Sequence, residues 1–185
     1  MAYNIKDVFY LSTSATIAKT TSGVGSAQLD LSAYIDPIAR GRTKGTGLAI
    51  YKTHFSVLDS NGTPVDPADV GVFTASMQAG LGVGDNDTGT AFQLSSALLG
   101  NTNALNIATV DYYAPGATAN MNGFYESVMP STEVPYVVVR DNACLVYAIR
   151  DQTTVDALTL SVRIECAQIS LDQATLNQLL RTQTV

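Results

Sequence analysis

The chain has 185 residues, of which 46% are hydrophobic and 14% charged, and its formal net charge is −6. This length predicts a single domain, residues 1–185, with a sizeable core. Charged residues are well below the roughly 25% usual in soluble domains, which suits a surface that packs against neighbours. The negative charge disfavours non-specific binding to nucleic acid. The longest apolar run, residues 143–149, is too short to span a bilayer, and no secretion signal is recognisable at the N-terminus.

Most of the chain alternates between apolar and polar residues with a period of two, which predicts antiparallel strands. In chain order these are residues 8–18, 29–35, 48–58, 72–79, 91–98, 107–113, 123–128, 136–140, 144–150 and 158–166. The last is the clearest, because Leu158, Leu160 and Val162 alternate with Thr159 and Ser161. Clusters of Gly, Pro, Asn and Asp between the segments predict turns. About ten strands in one domain predict an all-β antiparallel sandwich or barrel.

One helix is predicted, over residues 171–181 near the C-terminus. Ser170 and Gln173 are spaced as a capping box, and Leu176, Leu179 and Leu180 form a narrow apolar stripe. A helix this short is unstable alone, so we expect it to dock on the sandwich.

No pattern typical of a catalytic site is present. His54 is the single histidine, which excludes a histidine-cluster metal site, and it is predicted to face solvent or an interface. The chain has neither a G-x-S-x-G nucleophile elbow nor a P-loop. The sequence therefore predicts a protein that is not an enzyme and carries no cofactor.

The glycine-rich tract at residues 80–89 allows two functional interpretations. A dinucleotide-binding loop would need a helix after it, and a strand is predicted there instead. Asp85 and Asp87 resemble the first ligands of a calcium loop, but Ser96 stands where a bidentate Glu is required. We interpret the tract as a surface turn, with Asp85 and Asp87 as its cation candidates and no metal site predicted.

Arg40, Arg42 and Lys44 concentrate positive charge just before a predicted strand. The alternatives are a solvated loop with salt bridges between subunits, contact with an acidic protein or lipid surface, and nucleic-acid binding. No aromatic residues are interleaved for base stacking, so specific nucleic-acid binding is the least favoured.

Residues 144–150 and 158–166 are interpreted as the two strands of a hairpin. The alternation of apolar and polar residues in these strands predicts which face each cysteine lies on. Cys166 falls on the buried face of the second strand, and the first strand directs its larger apolar residues to the core. The opposite face of that strand is also apolar, so a neighbouring element or subunit should cover it. The resulting interface candidates are Cys144, Val146 and Ala148. Two free thiols are favoured over an intrachain disulfide.

A compact chain of about ten strands, rich in Ser, Thr and Gly and ending in a short helix, resembles a single jelly-roll capsid protein. In length and layout it is similar to the smaller major capsid protein of the sphaerolipovirus group. These viruses are tailless and icosahedral, and they contain an internal membrane. The resemblance implies a virion protein with two four-stranded sheets upright to the capsid surface. It also implies pseudo-hexameric capsomers, built from copies of this chain and a larger capsid subunit, above an internal membrane.

The alternative is a non-viral β-sandwich, such as a surface fibre, an adhesin or a carbohydrate-binding module. Carbohydrate modules usually present an aromatic platform. This chain has no Trp, although it has nine Tyr.

Overall fold

The computed structural model describes residues 8–18, 23–36, 44–59, 61–65, 70–79, 105–115, 123–152 and 157–183. Within these segments the chain forms nine strands and one C-terminal helix. The elements are β1 (Phe9–Ile17), β2 (Gly23–Asp30), β3 (Lys44–Leu58), β4 (Val70–Ala79), β5 (Asn106–Pro115), β6 (Gly123–Val128), β7 (Tyr136–Val138), β8 (Asn142–Gln152), β9 (Leu158–Asp172) and α1 (Gln173–Thr182).

The strands form two antiparallel sheets that pack into a sandwich. The four-stranded sheet has the order β1-β9-β3-β7, and the five-stranded sheet has the order β2-β8-β4-β5-β6. With β6 set aside as an added edge strand, the other eight strands have the arrangement of a jelly roll, two interleaved Greek keys. This confirms the predicted all-β, two-sheet fold with a short C-terminal helix.

The predicted hairpin between residues 144–150 and 158–166 is wrong. These segments form β8 and β9, which lie in different sheets. The error has a physical origin, because alternation shows which face of a strand is buried and says nothing about its partner. The faces themselves were predicted correctly, since Leu145 and Tyr147 of β8 and Leu160 and Cys166 of β9 all lie in the core between the sheets.

The second predicted strand, 29–35, is also shifted. β2 ends at Asp30, and the next residues form a turn in which the N–H groups of Tyr34 and Ile35 both donate to the Leu31 carbonyl oxygen, at 2.9 and 3.1 Å. Leu31 and Ile35 are both buried. Residues four apart share a side in a strand and in a helical turn, so their spacing fits both structures. The predicted strand 91–98 lies outside the described residues.

A second apolar cluster lies on the outer face of the four-stranded sheet, where α1 docks. It contains Ala49, Tyr51, Val139, Ala167, Ile169, Leu171 and Leu176. Two glycines of β3 make room for side chains of this cluster. A Cβ atom added at Gly45 would lie 2.7 Å from Leu176 Cδ2, and one at Gly47 would lie 2.8 Å from Leu171 Cδ1.

The ends of α1 are fixed by side chains that sequence patterns did not indicate. The N-cap is Asp172, whose carboxylate accepts a 2.8 Å hydrogen bond from the Thr175 N–H, so the predicted capping box at Ser170 is wrong. The box fails because β9 continues to Asp172. At the other end, the side chain of Gln183 accepts from the Val139 N–H at 3.2 Å and donates to the Val137 carbonyl at 2.6 Å.

Candidate functional site

An extended polar surface lies on the part of the four-stranded sheet's outer face that α1 leaves uncovered. We call it the open face. The alternation of three adjacent strands brings its side chains to one side, while their neighbours in sequence enter the core. Its members are Tyr10, Ser12, Ser14 and Thr16 on β1, Thr159, Ser161, Arg163 and Glu165 on β9, and Lys52, His54 and Ser56 on β3.

Strand register arranges the open face in rows. One row is Tyr10, Glu165 and Lys52, and the next begins with Ser12 and continues to Arg163 and then His54 on β3. The Arg163 guanidinium carbon lies 5.1 Å from the centre of the Tyr10 ring, a cation–π contact. Hydroxyl groups fill most of the remaining positions. Such a hydroxyl-rich surface with charges of both signs can form many hydrogen bonds with another macromolecule.

His54 lies on this face and is half-buried, which agrees with its predicted position at solvent or an interface. The residues that give the face its character, Tyr10 and Arg163, were not singled out from the sequence. The available signal was the alternation of β1, which leaves an aromatic residue on the polar side of the strand.

A shallow cavity of about 380 Å³ adjoins the open face. It is lined by Tyr51, Lys52, Thr53, Met129, Pro130, Ser131 and Thr132. The Thr53 hydroxyl donates to Met129 Sδ at 2.8 Å, which joins β3 to the segment after β6. The described lining offers one ammonium group and several hydroxyls, and no carboxylate or imidazole belongs to it. This lining provides polar contacts but no acid–base pair.

The interface candidates Cys144 and Val146 lie on the outer face of the five-stranded sheet, as the alternation predicted. Both are 0% exposed within the single chain, in a small cluster with Val24. Their burial therefore needs no second subunit. Of the three candidates, only Ala148 is half-buried and retains exposed surface. Ala148 is therefore the candidate with surface left for contact with another subunit.

A buried polar network lies beside this cluster, and the sequence did not suggest it. The Ser76 hydroxyl donates to Asn106 Oδ1 at 2.7 Å, and Asn106 Nδ2 donates to Thr109 Oγ1 at 2.6 Å. All three residues are buried. Their polar groups satisfy one another, so the network stabilises this face and offers no reactive group.

The structure confirms two free thiols. Cys144 belongs to the five-stranded sheet and Cys166 to the core side of the other sheet. Burial, with the nearby charge of Glu165, raises the pKa of the Cys166 thiol to about 12. Since the thiolate is the reactive form, Cys166 is chemically inert in the folded chain.

Of the basic residues Arg40, Arg42 and Lys44, only Lys44 lies within the described residues. It is exposed at the start of β3, where it pairs in register with Asp172. The hydrogen bonds from the Thr175 N–H and hydroxyl lower the pKa of the Asp172 carboxyl, and the charge of Lys44 contributes to the same shift. Lys44 thus lies near a carboxylate of its own chain. The cation candidates Asp85 and Asp87 lie outside the described residues.

Across the described segments, no group of three His, Cys, Asp or Glu residues is placed to hold a metal ion. No helix in the described part of the chain is long and apolar enough to cross a bilayer. Comparison with known protein families gives no match, and no curated protein is significantly similar in sequence. What the structure defines is therefore a class, the jelly-roll β-sandwich, with an open polar sheet face and an apolar core.

Proposed function

We propose that the chain is a structural virion protein. In this role it assembles with copies of itself and a larger capsid subunit into pseudo-hexameric capsomers. The observation that carries the proposal is the strand order of the two sheets, β1-β9-β3-β7 and β2-β8-β4-β5-β6. Jelly rolls of this kind recur in viral capsid proteins, lectins and cupins. These classes differ in whether the functional groups lie between the two sheets or on the outer surface.

The interior of the sandwich favours a structural role. Cupins and related binding proteins place ligands or metal ions inside the fold. Here the space between the sheets is filled by large apolar side chains, among them Phe73, Met77, Leu160 and Ile164, all fully or almost fully buried. A filled interior leaves the outer surfaces and edges to perform the function.

The outer surface supports assembly. The open face is rich in hydroxyl groups and carries charges of both signs, and the large apolar side chains Val8, Tyr10, Tyr113 and Val134 are exposed on it or elsewhere on the described surface. Interfaces between subunits combine apolar and hydrogen-bonding groups in this way, and they are enriched in tyrosine. The low charge content of the whole chain fits the same role.

The alternative, a non-viral carbohydrate-binding β-sandwich, is favoured by one observation. Tyr10 is 56% exposed on the open face and has the Arg163 guanidinium over its ring. A sugar ring stacks on an exposed aromatic ring in the same geometry. Yet Arg163 already lies over this ring, and no second exposed aromatic belongs to the described open face.

Negative-stain electron microscopy of the purified chain, alone and with the particle fraction of its native source, tests the proposal. Shells, hexagonal sheets or incorporation into particles support the capsid role. Monomers that bind a glycan array, with loss of binding in Tyr10→Ala, contradict it and support the alternative.

The basic segment supplies a second measurement. Replacing Arg40, Arg42 and Lys44 with Ser should weaken assembly most at low salt, because charge attraction to carboxylates or anionic lipid is screened as salt rises. Arg181→Ser, an exposed change in the last turn of α1, is the control. Assembly that is equally strong in the triple variant at low salt would remove the basic segment from the contact.

A further inference from the structure

Among the described strands, four form the edges of the sandwich, and three of these carry features that oppose addition of another strand. β7 has three residues, and the Gln183 side chain already bonds the Val137 carbonyl within it and the Val139 N–H just after it. β2 contains glycines, which weaken strand pairing, and ends at the charged Asp30. β6 has six residues, and its sequence includes the charged Glu126. β1 differs from all three. It has nine residues, FYLSTSATI, with no charge, proline or glycine.

The hydrogen bonds of β1 show which of its main-chain groups point outward. The Phe9 carbonyl accepts from the Cys166 thiol at 3.5 Å, so it faces the neighbouring strand β9. The Thr16 carbonyl accepts from the Tyr147 hydroxyl of the opposite sheet at 3.2 Å, so it points away from β9. Consecutive residues of a strand alternate in this direction. The N–H and C=O groups of Tyr10, Ser12 and Ser14 therefore point to the outer edge together with those of Thr16.

The outer edge of β1 is accessible, and the strand is firmly held. Val8 and Tyr10 are 48% and 56% exposed, and no other described element hydrogen-bonds to the outward main chain of Ser12 or Ser14. At the same time, the Thr13 hydroxyl donates to the Gln28 carbonyl of β2 at 3.0 Å. A strand anchored to both sheets is suited to receive a partner strand and poorly suited to leave its own sheet.

We infer that two copies of this chain pair through their β1 strands, antiparallel about a two-fold axis, so that two four-stranded sheets become one continuous eight-stranded sheet. Full overlap of β1 places the axis at Thr13. Ser12 then lies opposite Ser14 of the second copy, and Tyr10 opposite its Thr16. This register allows about eight main-chain hydrogen bonds, of which two use the Thr16 carbonyl oxygen that also accepts from the Tyr147 hydroxyl.

The occupant is a second copy because the edge is self-complementary. A two-fold axis brings the same edge of both copies together, so a net charge on that edge would face the same net charge across the axis. β1 carries none, and its outward positions hold small hydroxyl side chains and one tyrosine. The pairing specifies a contact between copies and does not depend on the capsid role. A dimer that forms no shells would support the β1 pairing and contradict the capsid role. Shells built from monomers would support the capsid role and contradict the pairing.

Charge substitutions at the two facing positions test the pairing. Ser12→Lys with Ser14→Lys places like charges opposite each other at two places and should raise the dimer dissociation constant about tenfold or more. Ser12→Lys with Ser14→Glu places opposite charges there and should retain the dimer. Ser56→Lys, on the same sheet face but away from the edge, is the control. Sedimentation velocity over a range of concentrations gives the dissociation constants, and circular dichroism shows whether each variant is folded.

Hydrogen exchange of the unaltered chain is the second measurement. Amides of Ser12 and Ser14 should become protected as concentration rises, whereas those of Leu11 and Thr13, already bonded to β9, should not change. A chain that stays monomeric, a dimer with equal dissociation constants in the lysine–lysine and lysine–glutamate variants, or a dimer with unprotected Ser12 and Ser14 amides would each overturn the inference.

Discussion

The outer face of the four-stranded sheet has two halves with opposite chemistry on the same strands. Along β9, the outward residues up to Glu165 are hydroxyl-bearing or charged, whereas the following ones are Ala167, Ile169 and Leu171. α1 covers the second half, with Leu176 fully buried against it. The first half is the open face.

The boundary between the halves coincides with an irregularity in β3. The register of β3 against β9 shifts between Ile50 and Lys52. Before the shift Ala49 points outward to the α1-covered cluster, and after it Lys52 and His54 point to the open face. A bulge thus lets one strand serve an apolar docking site and a polar surface. One half of this face therefore stabilises the fold, and the other half remains available for contacts with other molecules.

The largest expected effect is in the covered half. Leu176→Ala should lower the free energy of unfolding by about 2–5 kcal/mol, because it leaves a cavity between α1 and the sheet. Thr16→Ala on the open face is the matched control and should change it by less than about 0.5 kcal/mol. Urea denaturation measures both. Equal effects at the two positions would contradict the division into halves.

Gln183 holds the end of α1 to the main chain beside β7. Gln183→Ala leaves the Val139 N–H and Val137 carbonyl without this partner and should cost about 1–3 kcal/mol. Gln178→Ala, exposed on the same helix, is the control. Gln183→Glu retains an acceptor but loses the donor to Val137, so at neutral pH it should not restore stability. Full stability of Gln183→Glu would show that the donated bond is unimportant.

The pH dependence of the free energy of unfolding should show whether Asp172 is the N-cap of α1. Hydrogen bonds from Thr175 lower the pKa of Asp172 below its ordinary value of 3.8. The folded state therefore favours the ionised carboxyl. The contribution of the Asp172 carboxylate to stability is complete above its unfolded-state pKa. It is lost as pH falls through the lower folded-state pKa. Asp172→Asn keeps a capping oxygen and should flatten the acid limb of the stability profile. An unchanged profile in acid unfolding experiments would contradict this assignment.

The smallest effect is expected on the open face. Arg163→Met removes the cation from the Tyr10 ring but keeps an unbranched apolar stem, and it should cost about 0.5 kcal/mol. Tyr10→Leu should cost a similar amount, and the double variant should show that the two changes are coupled. Additive effects in this double-mutant cycle would mean that the ring and the guanidinium do not interact.

Much of the fold followed from local sequence patterns. Alternation identified the strands containing Leu145 and Leu160 and which of their faces are buried, and it placed Cys144 and Cys166 on separate surfaces. These results are local because a period of two directs neighbouring side chains to opposite faces of any strand. The amphipathic pattern of Leu176, Leu179 and Leu180 located the C-terminal helix to within two residues at its start.

Strand partners, and with them the sites, depended on tertiary structure. Nothing local distinguishes a hairpin between β8 and β9 from two strands in opposite sheets, because pairing is decided by contacts between distant residues. The buried network of Ser76, Asn106 and Thr109 is likewise invisible until three strand positions are brought together. The sequence by itself determined which faces are apolar, through alternation alone. Tertiary structure decided which of those faces are covered and left β1 as an open edge, because coverage depends on where α1 and the opposing sheet pack.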